Sequence, residues 1–239
     1  MKIIFVGPTL PDAIARCDRN IVVRRPAVQG DLLQAVREGA SVIGLVDGNF
    51  EYTAPVWHKE ILFGLSEGVR IFGSSSMGAL RAAECHTFGM VGVGEVYRRF
   101  ARGDLIDDSD IALLHAPAEI GYAPLSIPLV NILVTSERML AAGIISKTEL
   151  DRIGRIATQV FYKDRTWERL AKEMRAQGSD DDDILIEKVR ASYIDVKRED
   201  ALALLELVSS SPDKRSDMRV SWTFNSTSMW RHVFHGAKS

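Results

Sequence analysis

Val69-Arg-Ile-Phe-Gly-Ser-Ser-Ser-Met-Gly-Ala-Leu-Arg-Ala-Ala-Glu84 passes from a short apolar run through three serines into an alanine-rich segment. Val69, Ile71 and Phe72 favour a buried strand, Ala79, Leu80, Ala82 and Ala83 favour a helix, and Gly73 and Gly78 bracket the turn between them. Strand, tight turn and helix aim backbone N–H groups and serine hydroxyls at one spot. The open N–H groups and positive end of a helix N-terminus suit an anion, or a group that becomes one during reaction.

The same grammar repeats on the N-terminal side. Lys2 to Val6 is an apolar run ended by Gly7-Pro8-Thr9, the profile of a central strand feeding a loop. Ile21 to Arg25 predicts a second strand closed by Pro26, and Gln29 to Gly39 a helix with Asp31 as its cap. Ser41 to Val46 predicts a strand ending at Asp47-Gly48-Asn49-Phe50, and Ala54 to Ser66 a helix with Pro55 in its first turn and Gly68 at its end. This alternation predicts an α/β fold: a Rossmann-like, doubly wound, mostly parallel sheet with right-handed crossovers. Ligands of such sheets sit beyond the carboxyl ends of the strands, so Gly7 to Thr9, Asp47-Gly48 and Ser74 to Ser76 are expected on one rim, within reach of His58 and Lys59.

On the C-terminal side the pattern changes. Gly89 to Gly94 reads as a glycine-rich connector, Glu95 to Arg102 as a short helix, Asp107 to Asp110 as an acidic cluster, and Ile111 to His115 as an extra strand. Ser126 to Ser210 is mostly helical, with breaks near Gly143, Gly178 and Ser192. Asp180 to Asp183 reads as a solvated helix start, since a calcium loop needs spaced ligands and a glycine. The last stretch carries Lys214, Arg215, Arg219, Arg231 and Lys238 among Trp222, Phe224, Trp230 and Phe234, and either docks on a partner or closes the fold. Three segments are expected: residues 1–122 as the α/β core, 123–210 as a helical subdomain, and 211–239 as a basic aromatic tail.

Composition narrows the function classes. With 46% hydrophobic and 26% charged residues in 239, the chain supports one sizeable core plus a subdomain. Thirty basic against 32 acidic residues give a net charge of -2, which argues against nucleic acid as a partner. Two cysteines, Cys17 and Cys85, suit a reducing cytoplasm and give neither a disulfide framework nor a thiolate metal site. The first apolar run stops far short of a signal-peptide core, and no segment approaches membrane-spanning length. No metal and no cofactor are expected: the histidines are scattered, the glycines of 89–94 open no dinucleotide unit, and no phosphate-binding lysine motif supports a nucleotide-binding protein.

Three readings of the serines stand side by side. A nucleophile elbow would put Ser75 or Ser76 on a sharp turn with N–H groups for an oxyanion, although Gly73 and Gly78 do not frame a G-x-S-x-G. The serines equally suit helix capping. An anion site is the third, with Arg81 supplying a fork. Arg81 and Glu84 pair on a helix by spacing, or turn to the rim, where Glu84 would orient Arg81 or act as a base. Asp47 at a strand end is placed to orient a histidine or bind a ligand hydroxyl, or else is a turn residue. His58 is the best-placed base; a structural role is the alternative for it, as for His86 and His115.

Phe5-Val-Gly-Pro-Thr-Leu10, Val46-Asp-Gly48 with Phe50, Trp57-His-Lys-Glu60, Gly73 to Glu84 and Phe88-Gly-Met-Val-Gly-Val-Gly94 together resemble the TfuA-like family. The string Ser-Ser-Met-Gly-Ala-Leu-Arg-Ala-Ala-Glu84 is the most specific part, and the likeness covers roughly the first half of the chain. The resemblance implies a partner, a YcaO protein, which uses ATP to activate a backbone amide so that sulfur can enter a precursor peptide or protein as a thioamide. It further implies that this chain releases or delivers sulfide by hydrolysing the C-terminal thiocarboxylate of a sulfur-carrier protein, or else is a non-catalytic adaptor that recruits and activates YcaO. In the hydrolase version Ser75 or Ser76 is nucleophile or water binder, His58 the base and Asp47 its orienter. Gly7, Thr9, Ser74, Gly78, Arg81 and Glu84 would bind substrate.

Overall fold

A computed structural model of the chain describes residues 1–49, 51–177, 182–217 and 220–235. Phe50, Gly178, Asp180, Asp181, Arg219 and Lys238, on which readings above fall, lie outside the described residues, as does the side chain of Phe234. The elements in order are β1 (Lys2–Phe5), α1 (Ala13–Arg16), β2 (Ile21–Arg24), α2 (Asp31–Arg37), β3 (Val42–Leu45), α3 (His58–Ser66), β4 (Arg70–Ser74), α4 (Met77–Cys85), β5 (Val91–Val93) and α5 (Gly94–Arg102). Helices follow: α6 (Leu129–Ala141), α7 (Lys147–Gln159), α8 (Trp167–Gln177), α9 (Asp182–Ala191), α10 (Val196–Ser210) and α11 (Ser228–His235). The chain divides into two compact units, Met1–Asp104 with Arg198–Ser239, and Leu105–Lys197.

The first unit is built on one sheet in the order β2-β1-β3-β4-β5, parallel at every pairing. This is the expected α/β, Rossmann-like architecture, and strand order reverses between β1 and β3, the place where such sheets hold ligands. One face of the sheet is covered by a core of Ile3, Phe5, Leu32, Ile43, Ile61 and Ile71. On the other, Ile4, Val42 and Phe72 pack with Ala201, Leu204 and Val208 of α10. Gly44 in β3 lets α10 come this close, since a Cβ there would stand 2.8 Å from Leu204.

The compact units therefore do not follow the three segments read from sequence. Residues after 197 rejoin the sheet because α10 and the tail carry the apolar side chains that complete its core. Trp222 Nε1 donates to Phe88 O at 3.1 Å, and Trp230, 1% exposed, packs with Leu33, Trp57, Phe63 and Phe224. Lys59 Nζ stands 4.9 Å from the centroid of the Phe224 ring. The described part of the tail closes the fold.

Three local expectations are corrected. Val91 to Val93, inside the supposed connector, is the fifth strand, paired with β4 from Phe72↔Val91 to Ser74↔Val93. Residues 111–115 form no strand; His115 makes only an isolated antiparallel bridge to Pro124. The helix after β5 starts at Gly94, and Asp200 of α10 caps it by accepting from Glu95 N and Val96 N, each at 2.8 Å. Burial of that carboxyl pushes it up to about 6. Asp31 is not the cap of α2, which is Gly30; its carboxylate accepts from Val28 N at 2.9 Å.

The second unit is helical. Ile132, Ile156, Met174 and Val189, contributed by α6 to α9, lie in one core. Buried Arg165 donates to the carbonyls of Ala157, Val160 and Ile127, at 3.0, 3.0 and 3.4 Å, holding together loops that have no ladder of their own.

Candidate functional site

β4 ends at Ser74 and α4 begins at Met77, so the whole reversal from strand to helix falls on Ser75 and Ser76. Ser75 has φ 65, in the left-handed region that a side chain disfavours, and Ser76 N–H donates to Ser74 O at 2.7 Å across it. This three-residue hydrogen-bonded reversal is a γ-turn, a rare and strained form. Packing enforces it. A Cβ on Gly73 would meet Gly78 O at 2.1 Å, and one on Gly78 would meet Leu45 O at 1.8 Å, so strand end and helix start are in backbone contact where only glycine fits. Gly78 N–H donates to Val46 O at 3.1 Å, locking the first turn of α4 onto the end of β3.

The three hydroxyls are not equivalent. Ser74 and Ser75 are fully buried, with their Oγ atoms 3.2 Å apart. Ser76 is half-buried; it stands at the N-cap position of α4, yet its side chain makes no capping bond. Capping therefore does not account for Ser76, whose hydroxyl is the one that solvent reaches.

The neighbouring strand ends carry a different arrangement. Asp47, 3% exposed, accepts from Gly7 N at 2.8 Å and Thr9 N at 3.0 Å through Oδ2, and from Thr9 Oγ1 at 2.5 Å through Oδ1. The expected rim exists, but Asp47, Gly7 and Thr9 are committed to one another and shape the loop after β1 at the reversal point.

His58 stands elsewhere. As the first residue of α3 it pairs through Nε2 with Glu84 Oε2 at 2.7 Å, so its carboxylate partner is Glu84 and not Asp47. Arg81 Nη1 donates to the same oxygen at 2.6 Å, and its Nε to Val56 O at 3.0 Å. Burial raises the Glu84 carboxyl, but the hydrogen bonds from His58 and Arg81 outweigh it and hold the group below the ordinary value. Arg81, His58, Trp57, Val56, Pro55, Ala54 and Gln29 line a cleft of about 320 Å³.

Glu60 and Gln29 carry no role in the sequence reading. Glu60 is fully buried and accepts from Gly30 N at 2.9 Å and from Leu33 N and Trp57 N at 3.2 Å, so one carboxylate ties the starts of α2 and α3 together behind the cleft. Burial pushes its carboxyl above the ordinary value despite these three donors. A glutamate three residues after Trp57 at a helix start was the available signal. For Gln29 there was none. Among the described residues no three His, Cys, Asp or Glu side chains gather as a metal site, and no helix is long and apolar enough to cross a membrane.

The chain is a parallel α/β protein with a strained serine turn between β4 and α4 and an arginine–carboxylate–histidine group formed by α3 and α4. The particular family follows from comparison. The model of the TfuA-like protein family matches residues 47–166, half of the 239-residue chain, and the chain belongs to that family. The matched stretch holds the serine turn, His58, Arg81 and Glu84. No curated protein matches the chain.

Proposed function

We propose that this TfuA-like protein serves YcaO-dependent thioamidation in the cytoplasm by hydrolysing the C-terminal thiocarboxylate of a sulfur-carrier protein. The thiocarboxylate and one water give a carboxylate, hydrosulfide and a proton; the sulfide passes to the YcaO partner, which modifies the precursor peptide or protein. The observation that carries the reading is the γ-turn at Ser75. A strained strand-to-helix reversal, held by two glycines in backbone contact, is how a fold presents a hydroxyl to an acyl carbon. Ser76, half-buried and free of capping duty, is the nucleophile or water binder. Ser76 N–H and Gly78 N–H are already spent on Ser74 O and Val46 O, which leaves the Met77 N–H of this turn to meet the oxyanion. His58 is the base, and Glu84 orients it.

The full burial of Ser74 and Ser75 favours a second reading, a non-catalytic adaptor in which the turn is structural and the protein recruits and activates YcaO. One experiment separates the two. The purified protein is incubated alone with a thiocarboxylated carrier, and sulfide is assayed for the wild type, Ser76→Ala, Ser75→Ala and His58→Ala. Release by the wild type that falls at least about a hundredfold in Ser76→Ala and His58→Ala supports hydrolysis. Absence of release from the wild type, with YcaO stimulation intact, supports the adaptor.

A further inference from the structure

We propose that the cleft beside Arg81 is a binding site for a carboxylate on a short uncharged stem, whether the end of a peptide chain or a small organic acid. Arg81 is 8% exposed and lines the cleft. Its Nε is taken by Val56 O at 3.0 Å and its Nη1 by Glu84 Oε2 at 2.6 Å. Nη2, with no acceptor among the described residues, remains as the donor for an occupant. A guanidinium fixed along two edges offers its last nitrogen in a defined direction, which suits a planar oxyanion.

Two further groups converge on the same space. The Gln29 backbone N–H donates to Ala54 O at 2.9 Å and so ties the two walls together, while its side chain, on an exposed residue of the cleft lining, has no hydrogen-bond partner among the described residues and is available to an occupant. The nine-residue helix α3 begins at His58 on the cleft wall, adding the positive end of a helix dipole. Ala54, Pro55 and Val56 bring no charge, hence an uncharged stem. Glu84 cancels one unit of the Arg81 charge, so the site suits a monoanion better than a dianion. The inference goes beyond sulfide release, because it rests on Arg81 and Gln29 and not on the serine hydroxyls.

The test is a titration of the isotope-labelled full chain, followed by amide resonances, with N-acetylglycine, acetate, N-acetylglycine methylamide and inorganic phosphate. Both acids are expected to shift Gln29, Trp57 and His58, and the neutral methylamide to leave them unmoved. Tighter binding of N-acetylglycine assigns the site to a peptide terminus, and tighter binding of acetate assigns it to a free acid. Arg81→Lys is expected to weaken binding about tenfold, since the donor held in a fixed direction by the two other guanidinium nitrogens is lost. That variant also loses the Val56 link and can fail to fold, so Gln29→Ala, which removes no protein hydrogen bond of its side chain, is measured beside it and is expected to weaken binding about threefold. Ser76→Ala should bind N-acetylglycine like the wild type, whatever it does to sulfide release. Equal shifts with the methylamide, no shift with either acid, stronger binding of phosphate, or a Gln29→Ala affinity equal to the wild type would each overturn the proposal.

Discussion

Two polar regions lie within the first unit and differ in what they leave over. Around Asp47 every group is answered: two backbone N–H groups and a hydroxyl converge on one buried carboxylate, and the loop after β1 is fixed. Around Arg81, Glu84 and His58, and at Ser76 where α4 begins, the accounting is open. One guanidinium nitrogen, an amide side chain and a hydroxyl have no protein partner among the described residues. A closed network is a device of stability, and an open one beside a cleft is a device of recognition. The contrast separates residues that sequence alone places together on one functional rim.

The contrast can be broken by substitution, most severely at the closed region. Asp47→Ala strands three donors in a buried loop and is expected to lower unfolding free energy by about 3 kcal/mol, measured by urea denaturation. A loss under a third of that would show that the knot is dispensable. Gly78→Ala comes next: its Cβ would collide with Leu45 O, so α4 must lift from β3 at an expected cost of about 2 kcal/mol. At Ser75, both Ala and Gly remove the hydroxyl, but only Ala keeps the left-handed strain; Gly is therefore expected to be the more stable of the two variants by about 1 kcal/mol. Equal stabilities would mean that the turn is relaxed.

The open region should respond weakly in stability and strongly in function. Ser76→Ala is expected to change unfolding free energy by no more than about 0.5 kcal/mol while sulfide release collapses. Glu84→Gln tests the sign of its titration. In the fold its carboxyl titrates below the ordinary value of 4.5, so its contribution is complete above that pH and vanishes as pH falls through the lowered value. The variant should lose less stability than the wild type on acidification over that range. The effect is small, because the side chain is 36% exposed.

The strands were legible where apolar runs are long enough to need burial on both faces, as at Lys2 to Phe5 and Val42 to Leu45. β5 was not, because a three-residue edge strand with a central glycine carries no period. The serine turn could be placed from Gly73 and Gly78, but its left-handed φ came from the contact of Gly78 with Leu45, a residue 33 positions upstream. Partners were the hardest to read. His58 and Glu84 are 26 residues apart and Glu95 and Asp200 are 105 apart, and nothing in local spacing encodes such pairs. Asp47 was found by its position at a strand end; which donors would claim it depended on the loop after β1.

The return of α10 to the sheet has a consequence for synthesis. Ile4, Val42 and Phe72 are made well before Leu204 and Val208, the α10 side chains that cover them. During translation Leu10 and Ala13 cover only part of that face, which stays incomplete until Ala201, Leu204 and Val208 have been joined, and the serine turn cannot rest on a finished core before then. A nascent chain stalled after β5 should expose that face to chaperones, and the ribosome, more than any local motif, sets when this site first exists.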